Sequence, residues 1–256
     1  LSEPEVLFLH GAGGGGWEWN IWMRVFRAHG YTVHAPDLLP SAKGLSNTSL
    51  EDYREQVHRH LLAMNAPKVI IGASLGGLLA MMNSELADAL ILINAMPPAP
   101  LHRRMPAHEV YPGIIPWQSQ ASLSGTRRSL FDCDDMTCLF AFRHWRNESG
   151  AVMNAAMAGI DVDMGKPMCP VMVMASEQDA DIPFSLTKAL AESMDAQFVH
   201  LAETSHVGPL LGKTAGQCAM QAVNYLNTHF QQGKIQTRHI GFSAFCRSAV
   251  DASNCA

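Results

Sequence analysis

Three residues that together can carry out acyl transfer stand far apart in this chain: Ser74, Asp179 and His206. A serine hydroxyl needs a base to take its proton, and a carboxylate to orient that base and stabilise its charged form. Ser74 sits in the pattern Gly-x-Ser-x-Gly, read as Gly72-Ala73-Ser74-Leu75-Gly76, with Gly77 following. Glycines at 72 and 76 suit a turn so sharp that side chains on the neighbouring backbone would collide. A bare Gly-x-Ser-x-Gly also arises by chance, because glycine and serine favour turns anyway. The elements around the motif must decide between nucleophile and plain turn.

Those elements fit. Lys68-Val69-Ile70-Ile71 is a strand-forming run, and Leu75 to Leu86 reads as a helix, so the serine lies on a strand–turn–helix. Upstream, Val6 to His10 reads as a buried strand closed by a glycine-rich turn, Gly11-Ala12-Gly13-Gly14-Gly15-Gly16. A helix follows, with Trp17, Ile21, Val25, Phe26 and His29 at helical spacing. The turn has three readings. It could donate backbone N–H groups to an oxyanion, or be a plain connector. It could also cradle phosphate, because Gly11-x-Gly13-x-x-Gly16 matches the dinucleotide fingerprint and Asp37 stands near the expected acidic position. His10 before the first glycine is atypical of that last reading, and a nucleotide fold has no use for the serine turn.

Tyr31 to Ala35 is a second strand, and Asp37 is expected to anchor the loop after it through local hydrogen bonds. Ser49 with Asp52 forms a capping-box start for a helix whose stripe is Leu50, Tyr53, Val57, Leu61 and Leu62. Pro67 stops that helix. Further strands are expected at Ala89 to Ile93, Val171 to Ala175 and Gln197 to Leu201. Helices are expected along Leu186, Leu190 and Met194, and along Ala219, Val223, Leu226 and Phe230. Continuous apolar strands alternating with helices imply a parallel sheet covered on both faces. The rhythm breaks over 96–166, which is proline-rich and then helical, too long for a plain loop and read as an inserted, mainly helical cap. The core is therefore 1–95 with 167–230, and 231–256 is a loosely attached tail.

In a parallel sheet, functional groups come from loops at the carboxyl ends of strands. Ser74, Asp179 and His206 each follow a strand, in the order Ser…Asp…His associated with this turn. Five stretches bear on one resemblance: His10-Gly11-Ala12-Gly13, Pro36-Asp37-Leu38, Gly72 to Gly77, Glu177 to Pro183, and Ser205-His206. With them the chain resembles the α/β-hydrolase family, and the opening with Trp17 and Trp19 is similar to its methylesterase and hydroxynitrile-lyase branch. The resemblance implies Ser74 as nucleophile, Asp179 as acid and His206 as base. It implies oxyanion donors at the backbone N–H groups of Leu75 and Ala12, ahead of Gly13. It also implies a mostly parallel sheet of about six strands, since the chain enters almost at once on the His-Gly strand. The chain departs from the family where Ser176 and Ser205 replace glycines. Asp181 is a rival acid, and the aspartates Asp132, Asp134 and Asp135 are read as a solvated cluster. Trp117 and Trp145 are either cap core or, with Gly13, substrate-pocket lining.

Composition narrows the class. A net charge of −5 without a basic cluster argues against a nucleic-acid surface. No apolar run reaches membrane-span length. The six cysteines are scattered without Cys-x-x-Cys, so no zinc site and no other metal is expected, and most should be small buried hydrophobes. Cys246 and Cys255 would pair only in an exported protein. No signal peptide is visible; a cytoplasmic protein is expected, with export left open because the sequence begins at Leu1.

The leading expectation is a serine hydrolase cleaving a carboxylic ester of a small or medium molecule through an acyl-enzyme, without a cofactor. The same three residues would also serve carbon–carbon bond cleavage, lactone or thioester hydrolysis, or a lyase or acyl-transfer reaction. A ligand-binding receptor on the same scaffold is the non-enzymatic alternative. Neither substrate nor oligomeric state follows from these residues.

Overall fold

Strands that are apolar on both faces can be stable only between two layers of helix. The computed structural model, which describes residues 3–162 and 169–230, has that arrangement. The strands are β1 (Glu5–Leu9), β2 (Thr32–His34), β3 (Lys68–Ala73), β4 (Ala89–Ile93), β5 (Ile114–Ile115), β6 (Glu148–Ser149), β7 (Val171–Ser176) and β8 (Gln197–Leu201). Six of them form one sheet in the order β2-β1-β3-β4-β7-β8, every neighbouring pair parallel. Strands β5 and β6 pair separately as a short antiparallel ribbon. The six-stranded α/β sheet expected from the sequence is thus present.

Alternate residues along each strand serve opposite layers. Leu7, Leu9, Ile70, Leu90, Leu92 and Val173 face a core shared with α2 (Leu50–Ala63) and α3 (Leu75–Met81). Val6, Phe8, Val69, Ile71, Ile91 and Met174 face the other, closed by α1 (Asn20–Ala28) and the last described helix, over 215–230. The helix α8 (Phe184–Ser193) packs on β7 and β8, and the short α9 (Gly208–Leu211) follows β8.

Two helix faces differ from the sequence expectation. In α1 the buried residues are Trp22 and Phe26, joined by Trp19. Trp17, Ile21 and Val25 are only half-buried, and His29 is exposed. The chain enters α1 through a 3₁₀ turn over Gly16–Trp19. Its tighter winding shifts the phase by which an α-helical count would place Trp17. Phe8 then packs against Trp19 at 4.9 Å and Phe26 at 5.3 Å between ring centroids. In α2, Ser49 and Asp52 do form the capping box, and Leu50, Tyr53, Val57 and Leu61 are buried. Leu62 is 61% exposed, because one residue is about 100° round the helix from Leu61. The helix after Ser74 also ends earlier than expected, at Met81, with a 3₁₀ turn at Ser84–Leu86.

Between β4 and β7 the chain forms α4 (Trp117–Gln120), α5 (Leu123–Ser129), α6 (Asp135–His144) and α7 (Gly150–Ala158), besides the β5–β6 ribbon. Helix α7 packs on α2, and α5 on α6. The expected boundary at 166, the tail 231–256, and Cys246 with Cys255 lie outside the described residues. Of the described cysteines, Cys138 and Cys218 are buried while Cys133 and Cys169 are partly exposed, all as free thiols. Among the described residues, no helix is long and apolar enough to cross a membrane.

These faces can be checked by mutation. Leu61→Ala should destabilise by about 2–5 kcal/mol and Leu62→Ala by less than about 0.5 kcal/mol in urea unfolding. Equal costs would contradict the burial of α2.

Candidate active site

The site begins with a steric constraint. Ser74 has φ 52° and ψ −119°, a backbone conformation that L-residues avoid and that a sharp strand-to-helix turn imposes. The turn is possible because two neighbours lack side chains. A Cβ on Gly72 would overlap the Gly76 carbonyl, and a Cβ on Gly76 would overlap the Leu9 carbonyl at the end of β1. Hydrogen bonds hold the Ser74 backbone on both sides. Its N–H donates to the Ile93 carbonyl, and its carbonyl accepts from the Met96 N–H, both at 3.0 Å.

Asp179 and His206 meet beyond the ends of β7 and β8. His206 Nδ1 lies 2.7 Å from Asp179 Oδ2, while Asp179 Oδ1 accepts from the backbone N–H groups of Asp181 and Ile182, both at 2.8 Å. The carboxylate of Asp179 is almost fully enclosed; Asp181, the rival in the sequence, is exposed and makes no such bond to His206. Burial is the largest single influence on His206 and disfavours its charge. The Asp179 carboxylate outweighs it through charge and hydrogen bond, with Asp181 and Glu18 adding to the pull, and lifts the imidazole to about 9. Asp179, Asp181 and His206 are close enough to offer three ligand atoms to an ion, but Asp179 already spends its oxygens on His206 and two backbone N–H groups.

Ser74 and His206 line one cavity of about 630 Å³, together with Ala12, Trp117 and Trp145. Gly13 is not among the lining residues. It has φ 67°, and Trp117 covers it so closely that a Cβ there would overlap the indole.

The turn over Gly11 to Gly16 approaches Ser74 from β1, and most of its N–H groups are engaged. Gly11 donates to Glu18 Oε2 (3.2 Å), Gly13 to Glu148 Oε2 (2.9 Å), Gly14 to the Gly11 carbonyl (3.2 Å) and Gly16 to Asp37 Oδ1 (2.7 Å). Carboxylates thus take positions where a phosphate would be held, which removes the dinucleotide reading. Asp37 anchors the glycine turn rather than only its own loop. His10 fixes the turn from beneath, with Nδ1 2.7 Å from the Gly11 carbonyl and Nε2 accepting the Leu38 N–H at 2.9 Å. Burial pushes the His10 imidazole down to about 4, so it stays neutral in that role. Among the described residues, the backbone N–H groups of Ala12 and Leu75 have no acceptor, and Ala12 borders the cavity beside Ser74.

Several residues here carried no signal in the sequence. Asn94, in a left-handed conformation at the end of β4, donates from Nδ2 to Ser176 Oγ and to the His206 carbonyl, both at 2.8 Å. Its Oδ1 accepts the Ser176 N–H. Asp132, read from the sequence with Asp134 and Asp135 as a solvated cluster, is instead half-buried and accepts the Ser205 hydroxyl at 2.6 Å. Arg146 donates from its backbone N–H to the Gly13 carbonyl (2.7 Å) and from Nε to the Gly14 carbonyl (2.6 Å). Both departures from the family pattern, Ser176 and Ser205, therefore have partners that a glycine would lack.

Comparison with known proteins bears on the family and the fold. The family model described as "Alpha/beta hydrolase family" matches residues 6–217. The chain belongs to that family. A curated relative, a pyrethroid hydrolase of Sphingobium wenxiniae (strain DSM 21828 / CGMCC 1.7748 / JZ-1), is 31% identical over 108 residues. That match spans 39% of each protein, so this chain aligns with well under half the relative's length. Among solved structures, a polyneuridine aldehyde esterase superposes with a TM-score of 0.67 at 17% identity, over 87% of this chain and all of that one. A methylesterase from Arabidopsis superposes with a TM-score of 0.64 at 13% identity, over 86% of this chain and 99% of that one. At these identities the superpositions speak for the fold alone.

Glu18 is the least expected group in the site. It is 3% exposed, and burial raises its carboxyl to about 8 against the opposing hydrogen bond from Gly11. The folded state therefore keeps a proton that the unfolded chain releases above about 4.5. The stability tied to that proton is complete at lower pH and is lost as pH rises towards 8. Glu18→Gln, neutral throughout, should gain on the wild type between pH 5 and pH 8 by a few kcal/mol, at about 1.4 kcal/mol for each tenfold fall in proton concentration. A stability difference independent of pH, measured by denaturant unfolding, would refute this.

Proposed function

We propose that this α/β hydrolase is a serine hydrolase that cleaves a carboxylic ester of a small or medium molecule through an acyl-enzyme on Ser74. One observation carries the proposal. The strained Ser74, the His206 that Asp179 holds, and Ala12 with its acceptor-free N–H line a single cavity, and the other acceptor-free N–H belongs to Leu75, the residue after Ser74. In this reading His206 takes the Ser74 proton as Oγ attacks the carbonyl carbon. The Ala12 and Leu75 N–H groups hold the oxyanion, and Asp179 stabilises the imidazolium. His206 then protonates the leaving alcohol, and a water activated by the same imidazole releases the acid.

The segment over 96–166 is the proposed cap, since it supplies most of the cavity wall opposite Ser74. Met96, Met105, Trp117, Met153 and Met157 give that wall an apolar, adaptable surface. A cavity of about 630 Å³ falls in the range that encloses a small or medium ligand. An ester as substrate is supported by the names of the relatives, a pyrethroid hydrolase and two esterases.

Ser74→Ala should abolish both turnover of a p-nitrophenyl ester panel and covalent labelling by a fluorophosphonate; labelling that survives would overturn the assignment. Asp179→Asn should lower kcat by on the order of 10⁴. It should also move the rising limb of the pH–rate profile to lower pH, because the Asp179 charge lifts His206 to about 9. An unmoved limb would remove Asp179 from the role of acid.

A further inference from the structure

An oxyanion hole depends on where its N–H groups point before the reaction, because reorienting a peptide during the reaction adds to the barrier. In a trans peptide group the C=O and N–H point in opposite directions, so fixing one end of the group aims the other. The peptide group that carries the Ala12 N–H has the Gly11 carbonyl at its other end. That carbonyl is held by His10 Nδ1 at 2.7 Å and the Gly14 N–H at 3.2 Å.

The peptide groups on either side are held by carboxyl groups from two different parts of the chain. Glu18, on the 3₁₀ turn before α1, accepts the Gly11 N–H at 3.2 Å. Glu148, on β6 in the segment between β4 and β7, accepts the Gly13 N–H at 2.9 Å. Both glutamates are 3% exposed. Glu148 is itself fixed, because its Oε1 accepts from the Tyr53 hydroxyl at 2.8 Å and from the Ser149 N–H at 2.7 Å. Space has been left for Glu18, since a Cβ on Gly14 would overlap its carboxyl. The result is an alternation along the turn. The N–H groups before and after Ala12 point at carboxyl oxygens, and the one between them, without an acceptor, borders the cavity.

We infer that Glu18 and Glu148 are positioning residues that aim the Ala12 N–H at the reacting oxygen by accepting the N–H groups on either side of it. The inference rests on the hydrolase reading above, and it gives the inserted segment a part in the chemistry. Through Glu148, and through Arg146 on the Gly13 and Gly14 carbonyls, the segment braces the oxyanion turn as well as covering the cavity. Neither glutamate needs to touch substrate. Both act as acceptors. Glu18 uses one oxygen, so an amide should replace it and a methyl group should not. Glu148 uses both oxygens, so neither an amide nor a methyl group reproduces it.

The test needs no knowledge of the natural substrate. A fluorophosphonate phosphonylates the nucleophile: the Ser74 Oγ–P bond forms, fluoride leaves with the P–F pair, the serine proton passes to His206, and the phosphoryl oxygen occupies the oxyanion hole. The second-order labelling rate is measured for wild type, Glu148→Ala, Glu18→Ala and Glu18→Gln, with thermal unfolding as the check on folding. Kinetics on a p-nitrophenyl ester are measured alongside. Each alanine variant should label at least about 10-fold more slowly and lose kcat by a similar factor with KM within about twofold, and Glu18→Gln should recover to within about fivefold of wild type.

Folded alanine variants that label at the wild-type rate would overturn the inference, as would a Glu18→Gln variant as slow as Glu18→Ala. If Glu148→Ala does not fold, Tyr53→Phe decides. It removes one anchor of Glu148 while keeping the ring, and it should slow labelling with KM unchanged; no slowing would count against the inference. Failure of the hydrolase reading looks different, because the wild type itself would then not be labelled at Ser74.

Discussion

The close approach of two turns is the constraint on which this site depends. The turn after β3 carries Ser74, the turn after β1 carries the Ala12 N–H, and parallel pairing of β1 with β3 brings both to the same end of the sheet. They can share that space only because backbone meets backbone. A Cβ on Gly76 would enter the Leu9 carbonyl, and one on Gly11 would already touch the Ser74 side chain at 3.4 Å. The glycines are therefore fixed by packing across strands as much as by the φ and ψ of their own turn.

Around these turns the protein buries several polar groups and satisfies each with specific partners. Asp179 is held by two backbone N–H groups and His206, Glu148 by Tyr53 and two N–H groups, and Asn94 by the Ser176 backbone and hydroxyl and the His206 carbonyl. Buried hydrogen bonds of this kind add little net stability, but breaking one leaves a costly unpaired group, so they restrict the loops to one arrangement. Glu18 is the exception in charge. It accepts one N–H bond in a buried site, and its environment favours the neutral acid. A neutral carboxyl beside the glycine turn can accept a hydrogen bond without opposing the negative charge that the proposed reaction would develop there.

The segment between β4 and β7 is fastened to the core at the glycine turn and at the loop that carries His206. Asp132 grips Ser205, next to His206, and Arg146 with Glu148 grips the glycine turn. Its polar anchors lie at the oxyanion turn and the histidine loop, and its apolar residues line the cavity between them. On the proposed function, a substitution in this segment would alter the chemistry as well as the choice of substrate.

The sequence by itself determined the sheet, its strands and the three residues of the proposed chemistry. Each has a local signature: an apolar run between turn residues, a Gly-x-Ser-x-Gly between strand and helix, or an acid or histidine just past a strand. The capping box at Ser49 and Asp52 was legible for the same reason, because both partners lie within one helical turn. What was lost was decided at a distance or by phase. Trp19 replaced Trp17 in the core because a 3₁₀ turn altered the count, and Leu62 lay outside by one helical step. Glu148 lies 135 residues from Gly13, and Asn94 lies 112 from His206. A lone acid or amide in a loop carries no sign of which backbone group it will meet, so only the tertiary structure could assign these residues to the site.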